Sequence, residues 1–313
     1  MLRYSINRLL RSLLTLVIII AVVFSLLRLM PIEGYFDNYD KLTPTQINTK
    51  LELMGLNDPL PQQLVRFIGK LLQGDFGEST RYRVGVPITE IIAPKILVSL
   101  RFGVIAMVLS LPLGMLLGVL MARSKGGLAD KLGNAYVVFI QAVPNAVYFL
   151  FIQNYGTKLL GCSMLYRPAN ILTTFMPILS LALPSIASYG MWLRRYMVDE
   201  ANKDYIKLAR AKGVPNSTIW FRHVFRNSVV PMVQLIPGSL LMTISGSIYV
   251  ESLYSIPGMG GLLVDVIKRQ DNNMVQALVI IYSVMGIMGL LLGDIAMGLV
   301  DPRISFTKKE GSR

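Results

Sequence analysis

The sequence has little charge, one cysteine and one histidine, and each scarcity excludes a class of protein. Only 16% of the 313 residues are charged, whereas soluble domains have about 25%. The single cysteine, Cys162, makes neither an intrachain disulfide nor a cysteine-based metal site. The single histidine, His223, belongs to no H-E-x-x-H motif, and its position in a loop predicts a structural or docking residue. None of the 13 lysines precedes Ser or Thr, which excludes a P-loop ending.

The sequence contains long windows without charged residues. A bilayer-spanning helix needs about 20 mostly apolar residues, and six windows approach or exceed that length. A large buried core is the alternative, but six such windows in one chain argue against it. No small-x-small cleavage site follows the first window, so we expect an uncleaved helix rather than a signal peptide. The six windows are residues 12–27, 102–122, 132–157, 168–193, 227–250 and 272–293.

The net charge of +13 follows the predicted topology. If the N-terminus is cytoplasmic, the inner segments carry 18 of the 31 Lys and Arg residues but only 6 of the 18 Asp and Glu residues. The outer segments carry 13 basic and 11 acidic residues. This positive-inside asymmetry predicts that both termini are cytoplasmic. The basic character therefore indicates a lipid bilayer as partner and not nucleic acid.

The windows divide the chain into segments. Residues 1–30 hold a cytoplasmic N-terminus and the first span, and residues 31–97 form an external segment. Its apolar residues recur at helical spacing after Pro59 and Pro61, and Gly74 follows as a stop signal, so we expect a partly helical cap. Residues 98–300 hold the other five spans with a cytoplasmic loop at 194–228, and 301–313 form a cytoplasmic tail.

Proline and glycine recur inside the spans. Interior prolines remove backbone hydrogen bonds and tend to kink helices, which suits a protein that opens and closes. Two small-residue patterns, Gly114-x-x-x-Gly118 and Gly289-x-x-x-Gly293, predict close helix contacts. The interior prolines are Pro112, Pro144, Pro177, Pro184 and Pro237.

The cytoplasmic loop has the pattern of a short amphipathic helix. Asp199 and Glu200 stand where acidic groups favour a helix start, and Gly213 followed by Pro215 predicts its end. Asn216 or Ser217 can cap a second helix that leads to the fifth span. One interpretation is a helix on the inner leaflet with its basic face on anionic headgroups. The other is a helix docked in a groove of a motor subunit. The apolar face carries Ala201, Tyr205, Leu208 and Ala209, and the basic face carries Lys203, Lys207 and Arg210.

A family resemblance favours the second interpretation. The run Ala209-Arg210-Ala211-Lys212-Gly213, with Arg222-His223, Arg226-Asn227 and Pro231 after it, resembles the coupling loop of dipeptide/oligopeptide ABC-importer permeases. The segments 55–61, 72–77, 256–262 and 301–304 resemble further parts of that family in the right order. The acidic residue of the general Glu-Ala-Ala loop is absent. The long external segment resembles the B-type subunit.

The resemblance implies the fold and the partners. It implies an all-α membrane protein of six transmembrane helices with the type I ABC-importer permease fold, in the bacterial cell membrane. Implied partners are a second, C-type permease subunit, two cytoplasmic ATPases and an external substrate-binding protein that delivers peptide. ATP and Mg would be bound by the ATPases, and this chain would bind no cofactor or metal and catalyse no reaction. The implied ATPase-coupling residues are Asp204, Tyr205, Leu208, Ala209, Arg210, Ala211, Lys212 and Gly213.

Polar residues of the fourth and fifth spans are the natural lining of a translocation path. Their hydroxyls and amides can pair with peptide backbone without selecting side chains. Asp294, inside the last span, is a further functional candidate. Nickel or another small solute is the alternative substrate, and a stand-alone transporter or an intramembrane hydrolase is the alternative class. The candidate lining residues are Ser185, Ser188, Tyr189, Gln234, Ser239 and Thr243.

Overall fold

Four long apolar helices dominate the computed structural model. It describes residues 2–29, 31–36 and 38–300, and for 2–8 the backbone alone. The predicted tail at 301–313, including the family-like 301–304, lies outside the described residues. In the described part the regular structure is helical, apart from one isolated bridge between Glu78 and Pro87. The long helices are α1 (Leu2–Arg28), α4 (Ile88–Arg123), α8 (Leu172–Ala201) and α15 (Asn272–Val300).

Two bent helix pairs supply the remaining predicted spans. The third span turns by 107° at Pro144, so it is not one straight helix. The fifth bends by 40° near Gln234. Together with the long helices, these pairs match the six predicted windows. The third span comprises α5 (Leu128–Ala142), α6 (Asn145–Phe151), a π-helical turn (Ile152–Gly156) and α7 (Thr157–Leu159). The fifth comprises α10 (Asn216–Thr218), a π-helical segment (Ile219–Phe225), α11 (Arg226–Val233) and α12 (Leu235–Ser245).

A further bent pair lies between the fifth and sixth spans. Helices α13 (Ile248–Tyr254) and α14 (Met259–Lys268) meet at 84°. Sequence windows did not predict this hairpin, because the two helices are too short to register as spans. Its apolar side packs onto the beginnings of α4 and α15.

Both predicted glycine patterns lie at helix contacts. A Cβ atom on Gly118 of α4 would stand 2.8 Å from the carbonyl oxygen of Gly190 in α8. A Cβ on Gly293 of α15 would stand 2.4 Å from the carbonyl oxygen of Gln234. Since real Cβ atoms do not approach backbone so closely, only glycine permits these contacts. The predicted close approach is confirmed for both pairs.

The buried clusters define two opposite ends of the bundle. At one end, Ile88 at the start of α4 packs with Met274 at the start of α15 and with α14. At the other end, Ala122 near the end of α4 packs with Leu193 and Met197 near the end of α8. Helices α4 and α8 therefore run parallel, and the loop after α8 lies at the end remote from α14.

The segment between α1 and α4 forms the expected partly helical cap. Helix α2 (Pro44–Leu53) begins with a capping box between Thr43 and Gln46. Helix α3 (Leu60–Leu72) follows Pro59 as predicted. Gly74, with a φ of 77°, follows its end. The ring centroids of Phe67 in α3 and Phe24 in α1 are 5.3 Å apart, so α3 packs on the first span.

Asp271, immediately before α15, fastens the cap to the bundle. Its carboxylate accepts hydrogen bonds from the Ser79 hydroxyl at 2.6 Å and from the backbone N–H groups of Thr80, Arg81 and Tyr82 at 2.9–3.1 Å. It also accepts from the Met274 N–H at 3.2 Å, as a helix N-cap does. Burial alone would raise the pKa of Asp271, but these hydrogen bonds outweigh it and hold the pKa below the ordinary 3.8.

We expect the Asp271 clasp, the set of hydrogen bonds to its carboxylate, to make the stability of the cap depend on pH. A carboxyl group with a lowered pKa stabilises the fold fully above its unfolded pKa of 3.8, and that contribution is lost as the pH falls through the folded value. Asp271→Asn should cost on the order of 3 kcal/mol at pH 7, because hydrogen bonds to a charged acceptor are lost. Thermal unfolding of both proteins from pH 7 to pH 3 measures this. Unfolding curves that stay equally far apart at both pH values would contradict it.

Candidate coupling surface and translocation cavity

The loop after α8 contains the predicted short helix, α9 (Asp204–Ala211). It begins at Asp204, directly after Lys203, so an acidic residue lies in its first turn. Gly213 ends it with a φ of 75°. The N–H of Gly213 donates to the Arg210 carbonyl at 3.0 Å, and the N–H of Val214 donates to the Ala209 carbonyl at 3.1 Å. This pair of bonds is a Schellman motif, which requires a left-handed residue. The predicted role of Gly213 as helix stop is confirmed.

The predicted start of this helix is wrong. Asp199 and Glu200 belong to the last turn of α8, which continues to Ala201. The helix of the fourth span therefore extends beyond its apolar window, which ends at residue 193, as far as Ala201. The predicted second helix exists, but Pro215 precedes its first residue, Asn216, and no side chain caps it.

Glu200 ties α9 to its neighbours. It is 8% exposed. Its carboxylate accepts from the hydroxyl of Tyr205, from the side-chain amide of Asn227 at 3.2 Å and from the Lys203 ammonium at 2.6 Å. Burial and the neighbouring carboxylate raise the pKa of Tyr205 to about 12, so its hydroxyl remains a donor. The completely buried Ile206 adds an apolar anchor. Helix α9 is therefore held to both α8 and α11.

The predicted coupling residues remain largely accessible. Leu208 is 56% exposed and Tyr205 is 40% exposed, although the Tyr205 hydroxyl is engaged. On the predicted basic face, Lys207 pairs with Asp204 at 2.8 Å, a surface pair worth little energy. Ala209 is half-buried, and the other predicted members are exposed: Asp204, Arg210, Ala211, Lys212 and Gly213.

The structure brings four of the six candidate lining residues to one cavity. This cavity of about 260 Å³ lies between α4, α8 and α12. The Tyr189 hydroxyl donates to the Ser239 hydroxyl at 3.0 Å across it. Ser99 and Ser110 of α4 add hydroxyls that sequence analysis missed, because α4 was not considered as lining. The four predicted residues are Ser185, Tyr189, Ser239 and Thr243.

The other two candidates lie elsewhere. Ser188 is half-buried in α8 and is not part of this cavity wall. Gln234, at the bend of the fifth span, donates from its amide to the Asp294 carboxylate at 2.7 Å. Asp294 is 6% exposed, so the acidic group of the last span is packed against the fifth.

Glu251 of α13 is the acidic residue of the cavity wall. Its carboxylate accepts from the Ser99 hydroxyl at 2.7 Å and from the N–H groups of Gly260 and Gly261 at 2.7 and 3.2 Å. The last two belong to the beginning of α14, where the helix dipole favours an anion. The carboxylate therefore fastens the α13–α14 hairpin to α4. The sequence does contain a signal for this contact, because Glu251 lies nine residues before Gly260, at the start of a glycine-rich helix.

Protein-family models match most of the sequence. Residues 114–306 match the model described as binding-protein-dependent transport system inner membrane component. Residues 1–83 match the N-terminal model of the binding-protein-dependent transport system membrane components. The larger match contains α8, α9, much of the cavity wall and the α13–α14 hairpin.

Individual relatives agree with the family models. The dipeptide transport system permease protein DppB of Lactococcus lactis subsp. cremoris is 34% identical over 308 residues, 97% of this chain and 99% of that protein. The oligopeptide transport system permease protein AppB of Bacillus subtilis is 31% identical, covering 82% of this chain and 84% of that protein. A crystal structure of an amino acid ABC transporter with histidines superposes with a TM-score of 0.50. At 17% identity, covering 69% of this chain and 95% of that one, it supports the fold alone.

Proposed function

The chain belongs to the binding-protein-dependent transport system inner membrane components, and from this premise we propose that it is the B-type permease subunit of an ATP-driven peptide importer. It forms half of the translocation pathway and docks a cytoplasmic ATPase through α9. The observation that carries the proposal is the position of α9. One face of this helix is exposed to solvent, and the opposite face is fastened to two spans.

Di- or oligopeptides are the proposed substrates. Relatives with extensive matches are named as dipeptide or oligopeptide permeases, which favours peptide over nickel. The cavity agrees with this chemistry, because serine, threonine and tyrosine hydroxyls both donate and accept hydrogen bonds. Such a wall can pair with the amide groups of any peptide. Selection among side chains then falls to the external binding protein.

The proposed assembly contains a second, C-type permease subunit, two ATPases and an external binding protein. ATP and Mg²⁺ are bound by the ATPases. Both termini of this chain and α9 face the cytoplasm of a bacterial cell, and α14 faces outward. The charge asymmetry of the segments supports this orientation.

We propose that α9 transmits the closure of the ATPases to the spans, and its contacts support this role. When the ATPases close, they displace α9. The Glu200 contacts and the buried Ile206 carry that displacement into α8 and α11. Helix α8 contributes Ser185 and Tyr189 to the cavity. A rigid shift of α8 therefore changes the cavity wall, which is what alternating access requires.

Purification of the tagged chain from its native membrane tests this proposal. A second permease and two ATPases should accompany it, and the complex in liposomes should import a labelled dipeptide when ATP and the binding protein are supplied. Recovery of the chain alone, with solute movement that needs no ATPase, would overturn it in favour of a stand-alone transporter.

Tyr205→Phe should uncouple ATP hydrolysis from transport. The variant keeps the aromatic surface of α9 but loses the hydroxyl that donates to Glu200 and accepts from Asn227. A hydrogen bond to a charged group contributes about 1.5–3 kcal/mol, so we expect roughly a tenfold fall in peptide imported per ATP. The ATPases should still co-purify. Tyr249→Phe is the control, because the Tyr249 hydroxyl has no partner within the described chain; an equal fall there would contradict the assignment.

A further inference from the structure

A cleft at the α14 end of the bundle gathers positive charge. Its volume is about 440 Å³, and it lies between the cap and the end of α14. Four of its wall residues are cations, and one, Asp40, is an anion. The cations are Lys41, Arg81, Lys268 and Arg269.

Within the described residues, these cations are not held in ion pairs. None of the four forms an ion pair with a carboxylate in the described part of the chain. Arg81 is fixed by carbonyl groups, donating to Glu33 at 2.6 Å and to Phe36 at 3.1 Å. The Asp271 clasp holds its backbone against the start of α15. The positive charge is thus positioned before any ligand arrives.

This concentration of positive charge is unexpected for a surface that has no ligand. Like charges in one concavity repel, and the positive-inside rule gives no reason to gather them at the outer end. The outer segments as a whole are nearly balanced, with 13 basic and 11 acidic residues.

The cleft lies beside the ends of two spans. Helix α15 begins at Asn272, directly after the cleft residues 268–270. The Asn272 side chain donates to the carbonyl of Pro31, three residues beyond the end of α1. The ends of two spans therefore meet next to the cationic wall.

We propose that this cleft binds a phosphate group, supplied by an anionic phospholipid of the outer leaflet or by free phosphate. Arginine and lysine together match the several oxygens and the charge of a phosphate group. The outward position of the cleft rests on the topology given under the proposed function. Phosphate binding is a separate property and does not depend on which solute is transported.

The test compares two charge-matched double variants of the purified transporter in nanodiscs. Lys268→Gln/Arg269→Gln removes two cleft cations, whereas Lys70→Gln/Lys158→Gln removes two exposed outer cations elsewhere. Retention of phosphatidylglycerol, titrated into phosphatidylcholine discs, is measured by native mass spectrometry. Each headgroup-facing cation contributes about 1 kcal/mol, so we expect the cleft variant to bind about 30-fold more weakly and the control to bind as the parent does.

The source of the phosphate is settled by a second arm. Radiolabelled inorganic phosphate is offered to the detergent-solubilised transporter. If inorganic phosphate binds and only the cleft variant loses that binding, the ligand is free phosphate. If the parent protein retains phosphatidylglycerol but binds no inorganic phosphate, the ligand is the lipid. Equal retention by both double variants, with no phosphate binding, would overturn the proposal. So would a cleft variant that keeps phosphate binding but no longer associates with the external binding protein, because the cleft would then be a protein contact.

Discussion

Gly213→Val should abolish peptide uptake while leaving the protein inserted in the membrane. The φ of 75° at this position excludes a β-branched residue unless the helix end unwinds. The left-handed conformation costs about 1–2 kcal/mol in a residue with a Cβ atom. Unwinding breaks the two hydrogen bonds that end α9 and releases Val214 from its packing. The surface offered to the ATPase then loses its shape.

Gly126→Val is the matched control for this experiment. Gly126 has a φ of 79° in the loop between α4 and α5, and at both glycines the position that a Cβ would take has no neighbouring atom within 4 Å. Both substitutions therefore impose the same backbone strain without a clash. Uptake and ATPase co-purification should be lost in the first variant and kept in the second. Equal losses in the two would mean that strain alone, and not the α9 surface, accounts for the effect.

Gly293→Ala should strongly destabilise the packing of the last span. The added Cβ would stand 2.4 Å from the Gln234 carbonyl oxygen, and backbone cannot turn aside as a flexible side chain can. Separating α15 from the fifth span also disturbs the hydrogen bond between Gln234 and Asp294. Overpacking of this kind costs about 3 kcal/mol. We expect a large fall in the yield of folded protein and in its thermal midpoint.

Gly286→Ala, seven residues earlier in the same helix, provides the comparison. A Cβ there meets nothing within 4 Å. Because alanine favours a helix interior over glycine by about 1 kcal/mol, this variant should match or exceed the parent in thermal midpoint. Fluorescence-detected size-exclusion chromatography after heating measures both variants. A Gly293→Ala protein as stable as the Gly286→Ala protein would show that the two helices separate at no cost.

Local properties of the sequence predicted the spans and the end of α9. Hydropathy is a sum over neighbouring residues, so a window of about 20 residues records it without knowledge of the fold. The stop at Gly213 is equally local, because left-handed backbone and the following Pro215 act within one turn. The start of α9 was missed because Asp199 and Glu200 continue α8 to Ala201, and Glu200 is held there by Tyr205 and Asn227, which lie further along the chain.

Angles and partners between distant segments could not be predicted from the sequence. Pro144 predicted a break in the third span, but packing sets the turn of 107°. Helical spacing placed Ser185 and Tyr189 near each other, yet their meeting with Ser239 depends on how α8 and α12 cross. Asp271 was a detectable helix cap before the last span; its bonds to residues 79–82 were not detectable, because 190 residues separate Asp271 from Arg81.

The Glu251 anchor has a consequence for biosynthesis. Ser99 leaves the ribosome 152 residues before Glu251, and Gly260 follows nine residues later. Until that segment is synthesised, the hydrogen bonds that fasten the α13–α14 hairpin to α4 cannot all form. The α14 end of the bundle is therefore assembled late in synthesis, and it is complete only when Asp271 and the start of α15 have followed. A chain cut short before Gly260 would leave the Glu251 carboxylate without its two backbone donors from α14.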